Sequence, residues 1–523
     1  MCGPSGAEAV IEGEELLTAA EMRAIEQRAI ASGAVSGLEL MERAGAGAAE
    51  AALARWPELA DGPRRAVILA GPGNNGGDGY VLARHLAARW IDTVVVAFGT
   101  PGPRAPDAAA SAARWREAGG RVIGPEELGG LPAPDLVVDA LFGTGLSRPF
   151  TPPALPWRRP ARRLAIDIAS GLSADTGRVL GGVLAADLTV TFHRRKLGHV
   201  IGEGPALSGE VVVADIGLDR REVRAAIGPQ AATAPGPARL VGRPGPLAKD
   251  GGHKYRHGHV LVVAGGPARG GAARLAARAA LRIGAGLVTV AAPRAALVEN
   301  AARLDAIMLR EADGPDELAA LLADARRNAV AIGPGLGTGS EARARVLAVL
   351  GAGRATVLDA DALTAFAPAP EELFRAISGP TVLTPHDGEF ARLFPDLAAP
   401  LSDPASAAEW SRAEAVRAAA ERSGAVVLLK GPDTLIADPE GRLAVHLAAG
   451  PRAAPWLATA GAGDVLAGLI AGLMARGRAP LRAAAEAAWL HVEAARRFGP
   501  GLIAEDLPEM LPAVLADLEA GRG

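Results

Sequence analysis

A turn of small residues running straight into an apolar helix is the part of this sequence best equipped for chemistry. It reads Ala458-Thr459-Ala460-Gly461-Ala462-Gly463-Asp464 and continues as Val465–Met474. At a helix start the backbone N–H groups are free and the helix dipole presents its positive end, which makes a site for phosphate. An aspartate held there, beside a bound phosphoryl group, can take the proton from a hydroxyl about to attack it. The chemistry implied is a nucleotide-driven reaction on a hydroxylated substrate. The plain alternative is a glycine-rich turn that Asp464 merely caps.

Other loops carry chemistry of related kinds. Strand-like Ala66–Ala70 runs into Gly71-Pro72-Gly73-Asn74-Asn75-Gly76-Gly77-Asp78-Gly79, which contains G-x-G-x-x-G and raises a dinucleotide fold. The ordinary version needs an acid near the end of the second strand to hold a ribose, and Val94–Gly99 offers none. Asn74, Asn75 and Asp78 instead fill the turn with side-chain oxygens, which suit a hard cation as well as a phosphate. An Asx-rich helix cap is the alternative. Asp139-Ala140-Leu141-Phe142-Gly143-Thr144-Gly145-Leu146-Ser147-Arg148-Pro149 and Asp167-Ile168-Ala169-Ser170-Gly171-Leu172 each place an aspartate at a strand's carboxyl end. Three such loops in one sheet point to a shared polar pocket. Lysine is rare, at Lys196, Lys249, Lys254 and Lys430, so a surviving lysine marks a place where a compact point charge is wanted.

The second half repeats the pattern. Gly265-Gly266 and Gly270-Gly271-Ala272-Ala273 permit close approach to backbone. Gly333-Pro334-Gly335-Leu336-Gly337-Thr338-Gly339 is an anion-nest candidate, and Asp359-Ala360-Asp361 sets two carboxylates on one loop. In Thr384-Pro385-His386-Asp387-Gly388-Glu389, His386 and Glu389 can share a face, while no third His or Cys has the spacing for zinc. Leu428-Leu429-Lys430-Gly431-Pro432-Asp433-Thr434 places a lysine at a strand end, where it can neutralise phosphate.

Positioning these loops calls for alternating strands and helices. Strands are expected at Ala66–Ala70, Thr93–Phe98, Asp135–Ala140, Leu164–Ile168, Leu188–Phe192 and Glu210–Ala214, with helices near Asp78–Trp90 and Pro106–Ala118. Thr18-Ala19-Ala20-Glu21 and Ser36-Gly37-Leu38-Glu39 read as capping boxes. A second series runs through His259–Ala264, Gly286–Ala291, Ala329–Gly333, Thr356–Asp359, Thr381–Thr384, Ala425–Leu429 and Asp433–Ala437, ending with helices Gly463–Met474 and Leu481–Phe498. Near-continuous Val/Ile/Leu runs suit parallel sheets covered on both faces, so the fold class is α/β with two three-layer α/β/α domains. The domains are expected at 16–227 and 248–515, joined by a Pro/Gly-rich linker at 228–247.

Composition narrows the classes. A chain of 523 residues exceeds one ordinary core. Net charge −3 and pI near 6.4 argue against nucleic acid as a partner. Mean hydropathy is +0.19, yet the ten-residue run Val465–Met474 is half of what a membrane span of about 20 residues needs. One cysteine, Cys2, excludes a disulfide framework. No secretory signal is evident, so a soluble cytoplasmic protein, as a homo-oligomer, is expected.

Leu16 to Leu218 resembles the NAD(P)H-hydrate epimerase domain, a Rossmann-like fold, on the strength of Gly71–Gly79, Val138–Gly145 and Ala165–Gly171. The resemblance implies interconversion of the R and S epimers of hydrated NADH and NADPH (NADHX and NADPHX) at nicotinamide C6. It implies K+ held by Asn75, Asp139 and Ser170. Substrate contacts fall on Asn74, Asn75, Gly76, Gly77, Asp78, Gly143, Thr144, Gly145, Leu146, Ser147, Arg148, Pro149 and Asp167, with Asp167 and Lys196 handling protons. Ala169 stands where the family usually has proline, which loosens the loop carrying Ser170. His193-Arg194-Arg195 is more basic than the pattern.

From Gly242 to Pro512 the chain resembles the ribokinase-like fold, in particular the ADP- or ATP-dependent NAD(P)H-hydrate dehydratase, with all the motifs above in order. The resemblance places Ala272, Gly335, His386 and Asp464 on the hydrated substrate, and Lys430, Gly431, Pro432, Asp433, Thr434 and Gly463 on the adenine nucleotide. ADP is expected over ATP, with Mg2+ from the phosphoryl chemistry. Ala462 replaces the usual Thr or Ser, leaving phosphate to the backbone N–H groups. Asp464 deprotonates the C6 hydroxyl, phosphate replaces hydroxide as leaving group, and the ring nitrogen expels it. The rivals are a vitamin-precursor kinase, a nucleotide-sensing first domain and an NAD-dependent dehydrogenase.

Overall fold

The computed structural model describes residues 13–157, 161–218 and 236–521, and the chain divides into two compact units. One comprises Glu15–Pro237 with Asp403–Ser411. The other comprises Met1–Glu14, Ala238–Ser402 and Arg412–Gly523.

The Glu15–Pro237 unit is built on a seven-stranded sheet, wholly parallel. In spatial order the strands are Arg121–Ile123, Asp92–Ala97, Arg65–Ala70, Leu136–Ala140, Arg162–Ile166, Leu188–Phe192 and Glu210–Ala214. Alternate residues of the central strand enter different cores: Ala66, Ile68 and Ala70 pack into one, Val67 and Leu69 into the other. That double burial explains the unbroken apolar runs. The chain builds outward from Arg65–Ala70 in one direction, then returns to build in the other. This makes a topological switch point at the carboxyl ends of Arg65–Ala70 and Leu136–Ala140, where ligands bind in such sheets. Both capping boxes form: Thr18 opens helix Ala19–Ala31 and Ser36 opens helix Gly37–Arg55.

One expectation is corrected here. The helix expected from Asp78 begins at Asn74, so half of the glycine-rich motif is its first turn. Two glycines at such a start argue for a loop by propensity, but packing overrides it. A β-carbon on Gly76 would lie 2.0 Å from the Gly71 carbonyl oxygen, and one on Gly77 would lie 2.6 Å from Met41 Sδ.

The second unit carries an eleven-stranded sheet. Its order is Gly13–Leu16, Ala238–Val241, Leu443–Leu447, Asp433–Ala437, Val426–Leu429, Thr381–Leu383, Ala355–Leu358, Ala329–Ile332, His259–Val263, Leu287–Ala292 and Met308–Glu311. Pairing is parallel from Val426–Leu429 to Met308–Glu311 and antiparallel through the two strands that follow Val426–Leu429 in the chain. Of the segment expected as a linker, 228–235 lies outside the described residues, while Ala238–Val241 is a strand in register with Leu443–Leu447. The final helix, Asp506–Glu519, carries the second unit beyond 515.

Helix Ala462–Ala475, which begins at the phosphate-type turn, is buried along nearly its whole length against helix Gly271–Arg282. Bare glycines let the two backbones close. A β-carbon on Gly468 would lie 2.1 Å from the Ala276 carbonyl oxygen, and one on Gly472 would lie 2.4 Å from Ile283 Cγ2. Helix propensity favours Gly468→Ala by about 1 kcal/mol, yet overpacking costs about 1–3 kcal/mol and backbone cannot yield as a side chain does. Gly468→Ala is therefore expected to lower stability by about 1–3 kcal/mol, read as a lower urea midpoint.

Candidate active sites

In the Glu15–Pro237 unit a cavity of about 560 Å3 opens over the switch point. It is lined by Asn74, Asn75, Asp78, Gly143, Thr144, Gly145, Leu146, Asp167 and Lys196, all expected from sequence. Gly76 and Gly77 do not line it; their bareness serves the helix packing described above. Ser147, Arg148 and Pro149 also stand outside its lining.

Asp167 is the focus. It follows strand Arg162–Ile166 at φ +67, a conformation rare for a side-chain-bearing residue. Its Oδ2 accepts from the Thr144 N–H at 3.1 Å, while Oδ1 lies 3.0 Å from Lys196 Nζ and accepts from Thr191 Oγ1 at 3.1 Å. Lys196 is fully buried and also donates to Thr191 Oγ1 at 2.8 Å and to the Phe192 and Arg194 carbonyls at 3.2 Å each. Burial pushes the Asp167 carboxyl up, but the Lys196 charge and hydrogen bond outweigh it and leave it below the ordinary range. His199 holds the loop: Nδ1 accepts from the Lys196 N–H at 3.0 Å, and Nε2 lies 2.9 Å from the Asp167 carbonyl oxygen. Burial lowers His199 to about 4, so it braces Asp167 as a neutral ring.

Asp139 and Ser170 meet beneath the cavity. Asp139 accepts from Ser170 N–H at 2.7 Å, Ser170 Oγ at 2.6 Å and Leu141 N–H at 3.2 Å; Ser170 Oγ also accepts from Phe142 N–H at 2.9 Å and lies 3.1 Å from its carbonyl oxygen. Ala169, in place of proline, is fully buried within this loop. Asn75 Nδ2 is buried and without a partner.

One carboxyl of the cavity had no motif to announce it. Glu26, on helix Ala19–Ala31, faces the cavity with Met22 and Ile30 at four-residue spacing, a helical face that sequence alone could have exposed. Burial and the Asp167 charge lift Glu26 to about 7, against Lys196 and Arg23. Asp78 is held well above the ordinary range by burial and by the charges of Asp167 and Glu26.

In the second unit the site assembles at the start of helix Ala462–Ala475. Gly461 takes φ +91, a left-handed conformation that glycine adopts without strain, at the start of the helix where the first N–H groups are free. Asp464, one turn on, is lifted to about 7 by burial and the Asp359 charge, with Lys430 opposing. Lys430 Nζ lies 2.9 Å from Asp359 Oδ1 and 3.9 Å from Glu389 Oε2. A β-carbon on Gly463 would lie 3.5 Å from Lys430 Nζ and 3.8 Å from Asp359 Oδ2, which sets that ion pair against the turn. His386 caps helix Asp387–Leu393 through Nδ1, while its own N–H donates to Glu389 Oε2 at 2.9 Å. Asp361 Oδ2 accepts from the Gly337 N–H at 2.8 Å, and Gly335 packs its carbonyl where a β-carbon on Gly265 would stand, at 2.0 Å.

His386, Lys430, Gly463 and Asp464 are thus brought together, with Asp359 and Glu389 as members the sequence did not assign to either ligand. Ala272 opens helix Gly271–Arg282 and Gly335 lies on the adjoining loop. Thr434 Oγ1 donates to the Gly431 carbonyl at 2.7 Å and so closes the Lys430–Thr434 turn, whose Pro432 carbonyl accepts from Ala448. Asp433 lies 3.5 Å from Arg412, which neutralises it. His491, from helix Pro480–Phe498, hydrogen-bonds the Ala462 backbone; burial lowers it to about 4, so it underlies the turn uncharged. Among the described residues, no group of three or more His, Cys, Asp or Glu side chains is placed to hold a metal, and no helix is long and apolar enough to cross a membrane.

Two family models match the chain. One, described as YjeF-related protein N-terminus, covers residues 37–198; the other, NAD(P)H-hydrate dehydratase, covers 260–513. The bifunctional NAD(P)H-hydrate repair enzyme Nnr of Moorella thermoacetica is 37% identical over 96% of this chain and 97% of its own length. That of Salinibacter ruber is 38% identical over 96% of each. Among solved structures, the ADP/ATP-dependent NAD(P)H-hydrate dehydratase from Bacillus subtilis, co-crystallised with ATP/Mg2+, is similar at 29% identity and a TM-score of 0.44, covering 52% of this chain and 94% of that one.

Removing the cation from the buried Asp167–Lys196 pair strands a carboxylate in a dry site. Lys196→Met is expected to cost about 3–5 kcal/mol by thermal denaturation, and adding Asp167→Asn is expected to recover part of that loss.

Proposed function

We infer the function from one premise: this chain belongs to the family of bifunctional NAD(P)H-hydrate repair enzymes. It epimerises hydrated NADH and NADPH in the Glu15–Pro237 unit and, in the other, dehydrates the S epimer to NAD(P)H at the expense of ADP or ATP. The fusion has a chemical logic, since a dehydratase that takes one epimer leaves the other to accumulate unless it is inverted. A cytoplasmic homo-oligomer is the assembly we propose, and ADP the preferred donor.

The observation that carries the dehydratase assignment is Asp464, a carboxyl held near neutrality at a left-handed glycine turn. A general base works best when its proton affinity lies near the working pH. Asp464 takes the proton from the C6 hydroxyl as oxygen attacks the terminal phosphoryl group, whose bond to the next phosphate breaks so that the shortened nucleotide leaves. The Gly461–Gly463 N–H groups and Lys430 receive the charge that builds on that group. Phosphate then departs from C6 as the ring nitrogen's lone pair forms a C6=N bond, and loss of a proton from C5 shifts that double bond to C5=C6 and restores the dihydropyridine. Mg2+ would be held by the nucleotide phosphates, with the neighbouring Asp359 and Asp464 carboxylates as the protein oxygens on offer, and would neutralise charge on the transferring group.

For K+, the donor set fits: Asp139 carboxylate, Ser170 hydroxyl and the Phe142 carbonyl are oxygens already gathered at one buried point. Asn75 supports the same assignment. A β-carbon on Gly143 would lie 2.9 Å from Asp167 Oδ2 and 3.1 Å from Asn75 Oδ1, while Asn75 Nδ2 is buried without a partner. Turning the amide over offers nitrogen to Asp167 and oxygen to a cation. The ion supplies fixed positive charge that organises the loop over the substrate.

A mixture of both epimers with ADP or ATP and K+ is expected to convert completely to NAD(P)H, followed by dihydropyridine absorbance, whereas a true kinase would accumulate a stable phosphorylated product. Asp464→Asn is expected to lower the dehydration rate by about 10²–10⁴-fold with little change in nucleotide binding. The acting form is the carboxylate, so kcat/KM rises with pH through about 7 and is lost below it. An undiminished rate in Asp464→Asn overturns the assignment.

A further inference from the structure

We propose that Glu26 is a second catalytic acid–base group of the epimerising site, acting on the substrate from a different wall of the cavity than Asp167. The proposal rests on the epimerase reading of that cavity. Glu26 comes from helix Ala19–Ala31, whereas Asp167 follows strand Arg162–Ile166, and both line the same space. The two carboxyls are kept in opposite states by their settings. Asp167 is tied to Lys196, Thr191 and the Thr144 N–H, and stays charged. Glu26 sits between Met22 and Ile30, and only burial and nearby charges set its proton affinity, with no hydrogen bond contributing. The charged groups facing it are Arg23 on its own helix, Asp78 from helix Asn74–Ala87, and Asp167 with Lys196; Arg104 and Asp107 complete the charged lining.

Inverting C6 requires such a pair. The hydroxyl must leave one face and water must arrive on the other, and one carboxyl cannot serve both. Protonated Glu26 gives its proton to the C6 oxygen as the C–O bond breaks. The bonding pair leaves with oxygen as water, and the ring nitrogen's lone pair forms a C6=N bond. A second water adds to the opposite face and gives its proton to Asp167, while the C=N electron pair returns to nitrogen. Reversal exchanges the two roles, and proton exchange with solvent through the open cavity resets both groups.

The test uses the full chain, K+ and chromatographic separation of the epimers without nucleotide. Glu26→Gln is expected to lower kcat for R-to-S interconversion by about 10²–10³-fold with KM changed by no more than about threefold. Dehydration of purified S epimer with ADP is expected at the wild-type rate, which reports an intact chain. The wild-type epimerisation rate falls as pH rises above about 7, because the acid form of Glu26 is consumed, and Glu26→Gln abolishes that limb. Glu26→Asp keeps the limb at reduced kcat, and serves where the glutamine variant folds poorly. In ¹⁸O-water each inversion incorporates one labelled oxygen. An unchanged kcat in Glu26→Gln, a change in KM alone, or inversion without label overturns the proposal. Failure of the wild-type chain to interconvert the epimers overturns instead the reading on which it rests.

Discussion

In each unit one ammonium, fully buried at Lys196 and half-buried at Lys430, faces more carboxyls than it can neutralise, and the chemistry of both sites follows from that shortage. Lys196 is committed to Asp167, leaving Glu26 and Asp78 in the same cavity with no cation bonded to them. Lys430 is committed to Asp359, with Glu389 at 3.9 Å, leaving Asp464 to feel the Asp359 charge. A surplus negative charge in a poorly hydrated crevice is relieved by holding a proton. The weakest-paired carboxyl keeps it, which is how an ordinary Glu and an ordinary Asp both come to about 7. A second lysine at either place would drain the proton and the reactivity with it.

That shortage can exist only because parallel sheets gather charged loop residues at the carboxyl ends of their strands. Asp139, Asp167 and Asp359 each stand at or just past the end of a strand whose closing residues are buried. The surrounding backbone is bent to keep them there. Asp167 and Ala360 adopt left-handed conformations that glycine would take without cost. Neutral histidines lie beneath both loops, His199 under Asp167 and His491 under the Ala462 turn, and supply hydrogen bonds without adding charge. A protonated imidazole in either place would undo the imbalance.

Much of this was legible in the sequence where one residue type had one physical use. Lysine in an arginine-rich chain marked Lys196 and Lys430, and buried strands announced themselves as unbroken Val/Ile/Leu runs. Thr18 and Ser36 marked helix starts because each cap needs only its own third neighbour. Legibility failed where one residue type has two uses. Gly76 and Gly77 read as room for a ligand, but the space they leave is filled by Gly71 and Met41. Short strands such as Arg121–Ile123 and Ala238–Val241 carry too few residues for a period to show. Glu26 was invisible as chemistry because its properties come from neighbours distant in the chain.

The two sites differ in what resets them, and this accounts for the donor on one side only. Inversion at C6 returns water for water, so two carboxyls in opposite protonation states and an open cavity are enough, and nothing is consumed. Expelling hydroxide without replacing it has no such return step: the leaving oxygen must be made stable as an anion. A lone base cannot do that, since removing a proton from the hydroxyl makes it a worse leaving group. The base becomes useful only beside a phosphoryl acceptor, and so Asp464 is built into a phosphate-binding helix start while Glu26 is not. The same tuned carboxyl therefore serves as an acid in one unit and as a base in the other, with the turn at Gly461 deciding which.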